Sequence, residues 1–304
     1  MDYIFKSENL EKKYGNFTAL NGLSMEIPKG SIYGFVGKNG AGKTTLIRLL
    51  CGLQHPTSGS FTLMGMKNDD KEIFKARRRI GAVVEAPALY KDMTAKDNLK
   101  QQYLTLGLPT YDGIDELLEL VGLSDTGKKK AGKFSLGMRQ RLGIAIALCG
   151  NPDLIILDEP TNGLDPQGII EIRELIIKLN KEKGITFLIS SHILDELARV
   201  ATYYGFIDKG RIVKEMSAKE LESECRKSIR MKVSDTKILA GIMDAKGIEY
   251  SIIDDNNADV FSELAFSSIA KEFEDAGCVI YTMDEHEESL EAFYLSLLGG
   301  NENA

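Results

Sequence analysis

The sequence predicts an α/β fold. A parallel sheet sits at its centre, a β-rich layer precedes it, a helical segment is inserted into it, and a small separate α+β domain follows. Three observations predict this. "SIYGFVGKNGAGKTTLIRLL" (31–50) runs from a strand-like stretch through a glycine-rich loop into helical spacing. "DLIILDEP" (153–160) and "GITFLISSH" (184–192) are apolar on consecutive residues, as strands are when helices cover both faces of a parallel sheet. After about Met216 short strand-like and helix-like runs alternate, which reads as a second domain at 217–304 beside a first at 1–216.

Each element follows in order. "YIFKSENL" and "LSMEI" read as strands broken by Gly15-Asn16 and Asn21-Gly22. "SIYGFV" is the strand entering the loop. "KTTLIRLL" is a helix that stops at Gly52, and "SGSFTLMGM" returns to the β-rich layer. From Thr94 to Val121 the pattern is helical. Thr94 is placed to cap with Asp97 in the first turn, and Leu99, Tyr103 and Leu106 share a face, as do Leu117, Leu118 and Val121. A basic connector, "TGKKKAGK", follows. A helix from about Pro166 to Lys183 joins the two apolar strands. Beyond Met216, "SIRMKVS", "IEYSIID" and "GCVIYTM" read as strands. "DTKILAGIMDAKG", "SSIAKEFEDAG" and the terminal "SLEAFYLSLLGG" read as helices. No chemical motif occurs in this tail.

Composition narrows the function classes. Of 304 residues, 43% are hydrophobic and 27% charged, as in globular proteins. The net charge of −7 argues against a nucleic-acid binder, so no nucleic acid is expected as partner. Cys51, Cys149, Cys225 and Cys278 are scattered, with no CxxC pair, so neither a zinc site nor a disulfide framework is expected. The polar start "MDYIFKSENLEKKYG" is not a secretory signal, and no apolar run approaches the roughly 20 residues of a membrane helix. A cytoplasmic protein is expected, with any membrane span on another chain.

Gly37-x-x-x-x-Gly42-Lys43-Thr44 has the phosphate-loop spacing. Gly37, Gly40 and Gly42 leave backbone N–H groups unobstructed, and with Lys38, Asn39 and Ala41 between them they can surround a triphosphate. Lys43 is placed to reach the β- and γ-phosphates and the Thr44 hydroxyl to ligate Mg²⁺, with Thr45 beside the α-phosphate. Asp158, after four apolar residues at a strand end, suits a carboxylate that holds Mg²⁺. Glu159 next to it is a candidate acceptor for a proton from attacking water. His55 and His286 read as ordinary surface or structural histidines, and Arg77-Arg78-Arg79 as a solvated face.

Further stretches resemble the ATP-binding cassette (ABC) ATPases. "FSLGMRQRLGIAIAL" (134–148) is similar to their LSGGQ signature, matching at Ser135 and Gly137 and departing at Leu136 and Met138. "NGLDP" (162–166) resembles the D-loop, "SSH" puts His192 at the switch histidine, and Tyr14 lies at the adenine-stacking aromatic. The resemblance covers about residues 1–216 and implies a P-loop NTPase cassette with a RecA-like core, a β-rich layer and a helical subdomain. It implies ATP and Mg²⁺ as cofactors and Glu159 as general base or water-positioning carboxylate. It also implies that His192 contacts the γ-phosphate, that Ser135 and Gly137 contact the nucleotide of the other protomer, and that Asp165 couples the two sites. Two such cassettes close around two nucleotides, so a second subunit, with a homodimer favoured, and a separate transmembrane permease are the implied partners.

One departure narrows the resemblance. In "IGAVVEAPALY" (80–90), Glu85 stands where the family's Gln contacts metal or water. A carboxylate there needs a cation or metal to balance it, which makes Glu85 a candidate metal ligand beside Thr44 and Asp158. Glu85 and "SLGMRQRLGIA" together resemble the bacitracin-resistance and lantibiotic-immunity type, which works peripherally on the inner membrane face and protects against antimicrobial peptides. An exporter of another compound is the alternative. Soluble ABC proteins of translation or DNA maintenance carry a second cassette or a long coiled coil, for which 304 residues leave no room. A small-molecule P-loop kinase has no use for 134–148 or "NGLDP".

Overall fold

The computed structural model describes residues 2–225, 227–262 and 266–287, together with 293, 294 and 297. The chain divides into two compact units, Met1–Ala218 and Lys219–Ala304.

In the first unit, β1 (Tyr3–Tyr14) and β2 (Phe17–Pro28) form an antiparallel hairpin around Gly15-Asn16. Asn21-Gly22 does not break β2 as expected. Gly22 takes φ +70°, and the register slips so that Leu10 faces Leu23 while Lys12 faces Leu20. The turn-like pair is absorbed as a bulge, which glycine permits because it has no Cβ to clash at positive φ. β3 (Ile32–Val36) is wholly buried and leads through the glycine loop into α1 (Lys43–Leu50). β4 (Ser58–Leu63) and β5 (Met66–Lys67) complete a four-stranded sheet in the order β2-β1-β4-β5. α2 (Ile73–Arg77) then leads to β6 (Ile80–Val83).

The helical segment consists of α3 (Ala95–Leu106), α4 (Ile114–Leu120) and α5 (Leu136–Leu148). Thr94 caps α3 by accepting from the Asp97 N–H, and Leu99, Tyr103, Leu118 and Val121 are buried. The chain re-enters the core as β7 (Leu154–Asp158), α6 (Pro166–Lys183) and β8 (Thr186–Ser191). α7 (Leu194–Ala198), β9 (Tyr203–Asp208) and β10 (Arg211–Ser217) follow. The central sheet has six strands, β10-β9-β3-β8-β7-β6, parallel except for β10. Every residue of β3, β7 and β8 is buried, as the continuous apolar runs predict. Their C-terminal ends therefore meet at one edge of the sheet, where ligands of open α/β sheets bind.

The arginine triple is not a uniformly solvated face. Arg77 donates to the carbonyls of Leu50 (3.3 Å) and Leu49 (3.4 Å), satisfying the end of α1, and burial lowers its pKa. Arg79 pairs with Asp153, and only Arg78 matches the expectation of an exposed side chain without such a role.

In the second unit, α8 (Ala218–Glu224) precedes β11 (Lys227–Val233), α9 (Thr236–Lys246), β12 (Tyr250–Ile252), β13 (Asn257–Val260), α10 (Phe266–Asp275) and β14 (Ile280–Glu287). The antiparallel order β12-β13-β11-β14 gives a β-α-β-β-α-β plan of the split βαβ type. Met231, Val233, Leu239, Met243, Val260 and Phe273 form its core. β13 was not anticipated, because "NNADV" carries turn residues; only Ala258 and Val260 face inward. The terminal helix expected at 289–300 lies outside the described residues except at positions 293, 294 and 297.

Candidate nucleotide site

The loop between β3 and α1 is shaped by close backbone approach. A Cβ at Gly37 would lie 2.7 Å from the Ile207 carbonyl oxygen, and one at Gly42 (φ +114°) 2.7 Å from that of Ala19. Only glycine fits either place. The Gly37 N–H donates to the Ser191 carbonyl at 3.3 Å, tying the loop to the end of β8. Lys38, Asn39 and Gly40 are exposed and Ala41 is buried. Thr44 and Thr45 are half-buried in the first turn of α1, which carries no acidic residue.

Lys43 is 6% exposed. Its ammonium donates to the carbonyls of Gly37 (2.5 Å) and Lys38 (3.4 Å), and lies 3.3 Å from Glu159 Oε1. The other oxygen, Oε2, is 2.7 Å from His192 Nδ1. Glu159 thus bridges Lys43 and His192. Its own backbone sits at φ +51°, a left-handed conformation that costs energy for a residue other than glycine.

Asp158 is 3% exposed, and each of its oxygens already accepts a hydroxyl proton. Thr44 donates to Oδ2 at 3.0 Å and Ser190 to Oδ1. A buried carboxylate beside a threonine hydroxyl is a hard-oxygen donor set that suits Mg²⁺. Among the described residues no group of three His, Cys, Asp or Glu could hold a metal by itself. The remaining ligands would be phosphate oxygens and water, the usual condition for Mg²⁺ at nucleotide sites.

The other sequence candidates sit apart from this cluster. Ser135 caps α5 by accepting from the Met138 N–H at 3.2 Å, and Asp165 caps α6 by accepting from Gly168 N–H at 3.2 Å. Gly137 faces the Leu164–Gly168 turn. Among the described residues no hydrogen bond joins Ser135 or Gly137 to the phosphate loop, so within one chain signature and loop are separate. Tyr14 is 41% exposed; its hydroxyl donates to Gln54 and Lys12 lies over its ring at 5.2 Å. Glu85 adopts φ +63°, and its carboxylate, 65% exposed, pairs with Arg48 Nη2 at 2.7 Å. Sequence reasoning does not single out Arg48, Ser190, or the hydroxyl bond from Thr161 to Glu196 beside "NGLDP". "SSH" put Ser190 in view, but its partner emerges only when β7 and β8 pair.

The cysteines supply no competing chemistry. All four are free thiols, and burial pushes Cys51 up to about 11 and Cys149 up to about 12.

Fold and site together define a nucleoside triphosphatase of the phosphate-loop class. The family described as ABC transporter matches residues 20–162. A bacitracin transport ATP-binding protein, BcrA of Bacillus licheniformis, is 42% identical over 303 residues, 99% of either chain. A lantibiotic transport ATP-binding protein, SrtF of Streptococcus pyogenes, is 48% identical over 212 residues, covering 70% of this chain and 90% of that one. Among solved structures, a dimeric ATP-binding cassette in a post-hydrolysis state with ADP and phosphate superimposes with a TM-score of 0.63 at 28% identity. It covers 70% of this chain and 98% of that one. The chain belongs to the ATP-binding subunits of ABC transporters, and it is an ATPase. Such subunits dimerise and work with a membrane permease. Among the described residues no helix is long and apolar enough to cross a membrane.

Proposed function

We propose that this chain energises a separate permease on the inner face of the membrane that expels an antimicrobial peptide of the bacitracin or lantibiotic type. The observation that carries the substrate class is the 42% identity to a bacitracin transport subunit, sustained over 303 residues and so through the second unit. A match confined to the cassette would support ATP hydrolysis alone.

Within the site, Lys43 and the N–H groups of residues 37–42 bind the phosphates. Thr44 and Asp158 would hold Mg²⁺, and the ion would neutralise phosphate charge when bound; Glu85, paired with Arg48 here, is the further candidate ligand. Tyr14 stacks on the base. Glu159 accepts a proton from the attacking water, and His192 holds Glu159 in position through Nδ1. For Glu159 to act, its Oε1 must exchange Lys43 for water as the lysine turns to the phosphates. Ser135 and Gly137 reach the nucleotide held by a second copy, and Asp165 couples the two sites. This reading accounts for their separation from the phosphate loop of their own chain. Two identical subunits then sandwich two nucleotides, and loss of the γ-phosphate contacts loosens the pair.

Co-expression with a candidate membrane permease tests the reading. Bacitracin or a lantibiotic should stimulate ATP hydrolysis by the detergent-solubilised complex and raise the inhibitory concentration for cells carrying it. A chain that retains no membrane protein, or retains ribosomes or DNA instead, overturns it. Stimulation by an unrelated drug alone would favour the other-compound exporter.

A further inference from the structure

The geometry assigns a positioning role to Ser190, which orients the Asp158 carboxylate and anchors the Glu159 peptide. Ser190 is fully buried at the penultimate position of β8, in register with Asp158 across the parallel β7–β8 pair. Its hydroxyl donates to Asp158 Oδ1 and accepts from the Glu159 N–H at 3.1 Å. That N–H also reaches the Ser190 carbonyl at 3.1 Å.

Both bonds use the one hydroxyl. The Glu159 N–H can only donate, so the Ser190 oxygen must accept from it. The hydroxyl donates its own proton to Asp158 Oδ1. With Oδ1 occupied, Oδ2 is the oxygen turned toward Thr44 at 3.0 Å. One serine therefore selects which carboxylate oxygen meets the threonine. It also steadies the peptide that Glu159 carries in its left-handed conformation (φ +51°). An apolar side chain here would leave Oδ1 buried without a donor, and a desolvated carboxylate oxygen without a partner is costly. Outer partners of metal-binding carboxylates act in this way, by fixing orientation.

The inference rests on the reading of Thr44 and Asp158 as the Mg²⁺ ligands, and the test separates the two. Threonine and valine have nearly the same shape and differ in the hydroxyl, so Ser190→Thr and Ser190→Val isolate that group; Ser190→Ala guards against overpacking. Binding of a fluorescent ATP analogue to the full chain is measured against Mg²⁺ and again in EDTA, with Asp158→Asn as control. Ser190→Val and Ser190→Ala should raise the half-saturating Mg²⁺ concentration about tenfold. Affinity in EDTA should be unchanged, and Ser190→Thr should behave as wild type. If Asp158→Asn loses the Mg²⁺ response while Ser190→Val keeps it, the role of Ser190 is overturned and the metal site stands. If Asp158→Asn keeps the response, both fall. Equal losses in Mg²⁺ and EDTA for the Ser190 variants would mark a scaffold role and also overturn the inference.

Discussion

Two glutamates leave neighbouring parallel strands in the same left-handed backbone conformation, Glu85 after β6 (φ +63°) and Glu159 after β7 (φ +51°). Their surroundings differ. Glu159 is 22% exposed and held on three sides, by Lys43, by His192 and through its peptide by Ser190. Glu85 is 65% exposed and held by Arg48. In low dielectric with converging partners a carboxylate is preorganised, and its interactions strengthen. In solvent the same group gains little from one ion pair. Similar backbone strain thus accompanies a carboxylate held by several partners in one place and an exposed, singly paired one in the other.

The largest effect should come from Glu159, the more enclosed of the two. Glu159→Gln keeps the shape and removes the basic oxygen, so ATP hydrolysis should fall about 10²–10⁴-fold. The variant should still bind ATP and should run as a dimer on size exclusion with Mg-ATP. Near-normal turnover would erase the distinction between the two glutamates. Lys43→Ala removes the cation shared by the phosphates and Glu159, and calorimetry should report ATP affinity lower by roughly 10–100-fold.

A third carboxylate sharpens the role of burial. Glu215 Oε1 accepts from the Tyr33 hydroxyl (2.6 Å) and the Glu26 N–H (3.0 Å), and desolvation raises its pKa. A raised folded pKa means that its stabilising contribution is full below the unfolded pKa and is lost as pH rises through the folded one. Glu215→Gln retains the accepting oxygen without the charge. Its melting temperature should gain on wild type as pH rises from 4 to 7, and a pH-independent difference would contradict the assignment. Last comes Glu85→Gln, which should move the melting temperature by no more than about 2–4 °C. With the permease present it should alter the Mg²⁺ dependence of hydrolysis, and unchanged dependence and coupling would remove any functional role for the Glu85 charge.

Much of this was legible in the residues. The apolar runs of β7 and β8 and the glycine loop before α1 follow from local pattern, because burial on both faces and close backbone approach each demand particular residue types. Thr94 caps its helix through a bond spanning three residues, as its position before Asp97 predicts. Other features resisted reading. Asn21-Gly22 looks like a turn in isolation, yet pairing with β1 turns it into a bulge. Arg77 looks solvated, yet the packing of α2 delivers it to the end of α1.

The sequence by itself determined which groups exist and their spacing along the chain: a lysine after glycines, a carboxylate pair after an apolar strand, a histidine after the next. Short-range spacing suffices for that, because helix, strand and loop geometry are local. Only the tertiary structure decided that Lys43, Glu159 and His192 form one chain of contacts and that Ser190 faces Asp158. Those residues are separated by 33 positions or more, or by 32 for the last pair. No local rule sets such distances; they follow from the parallel register of β3, β8 and β7.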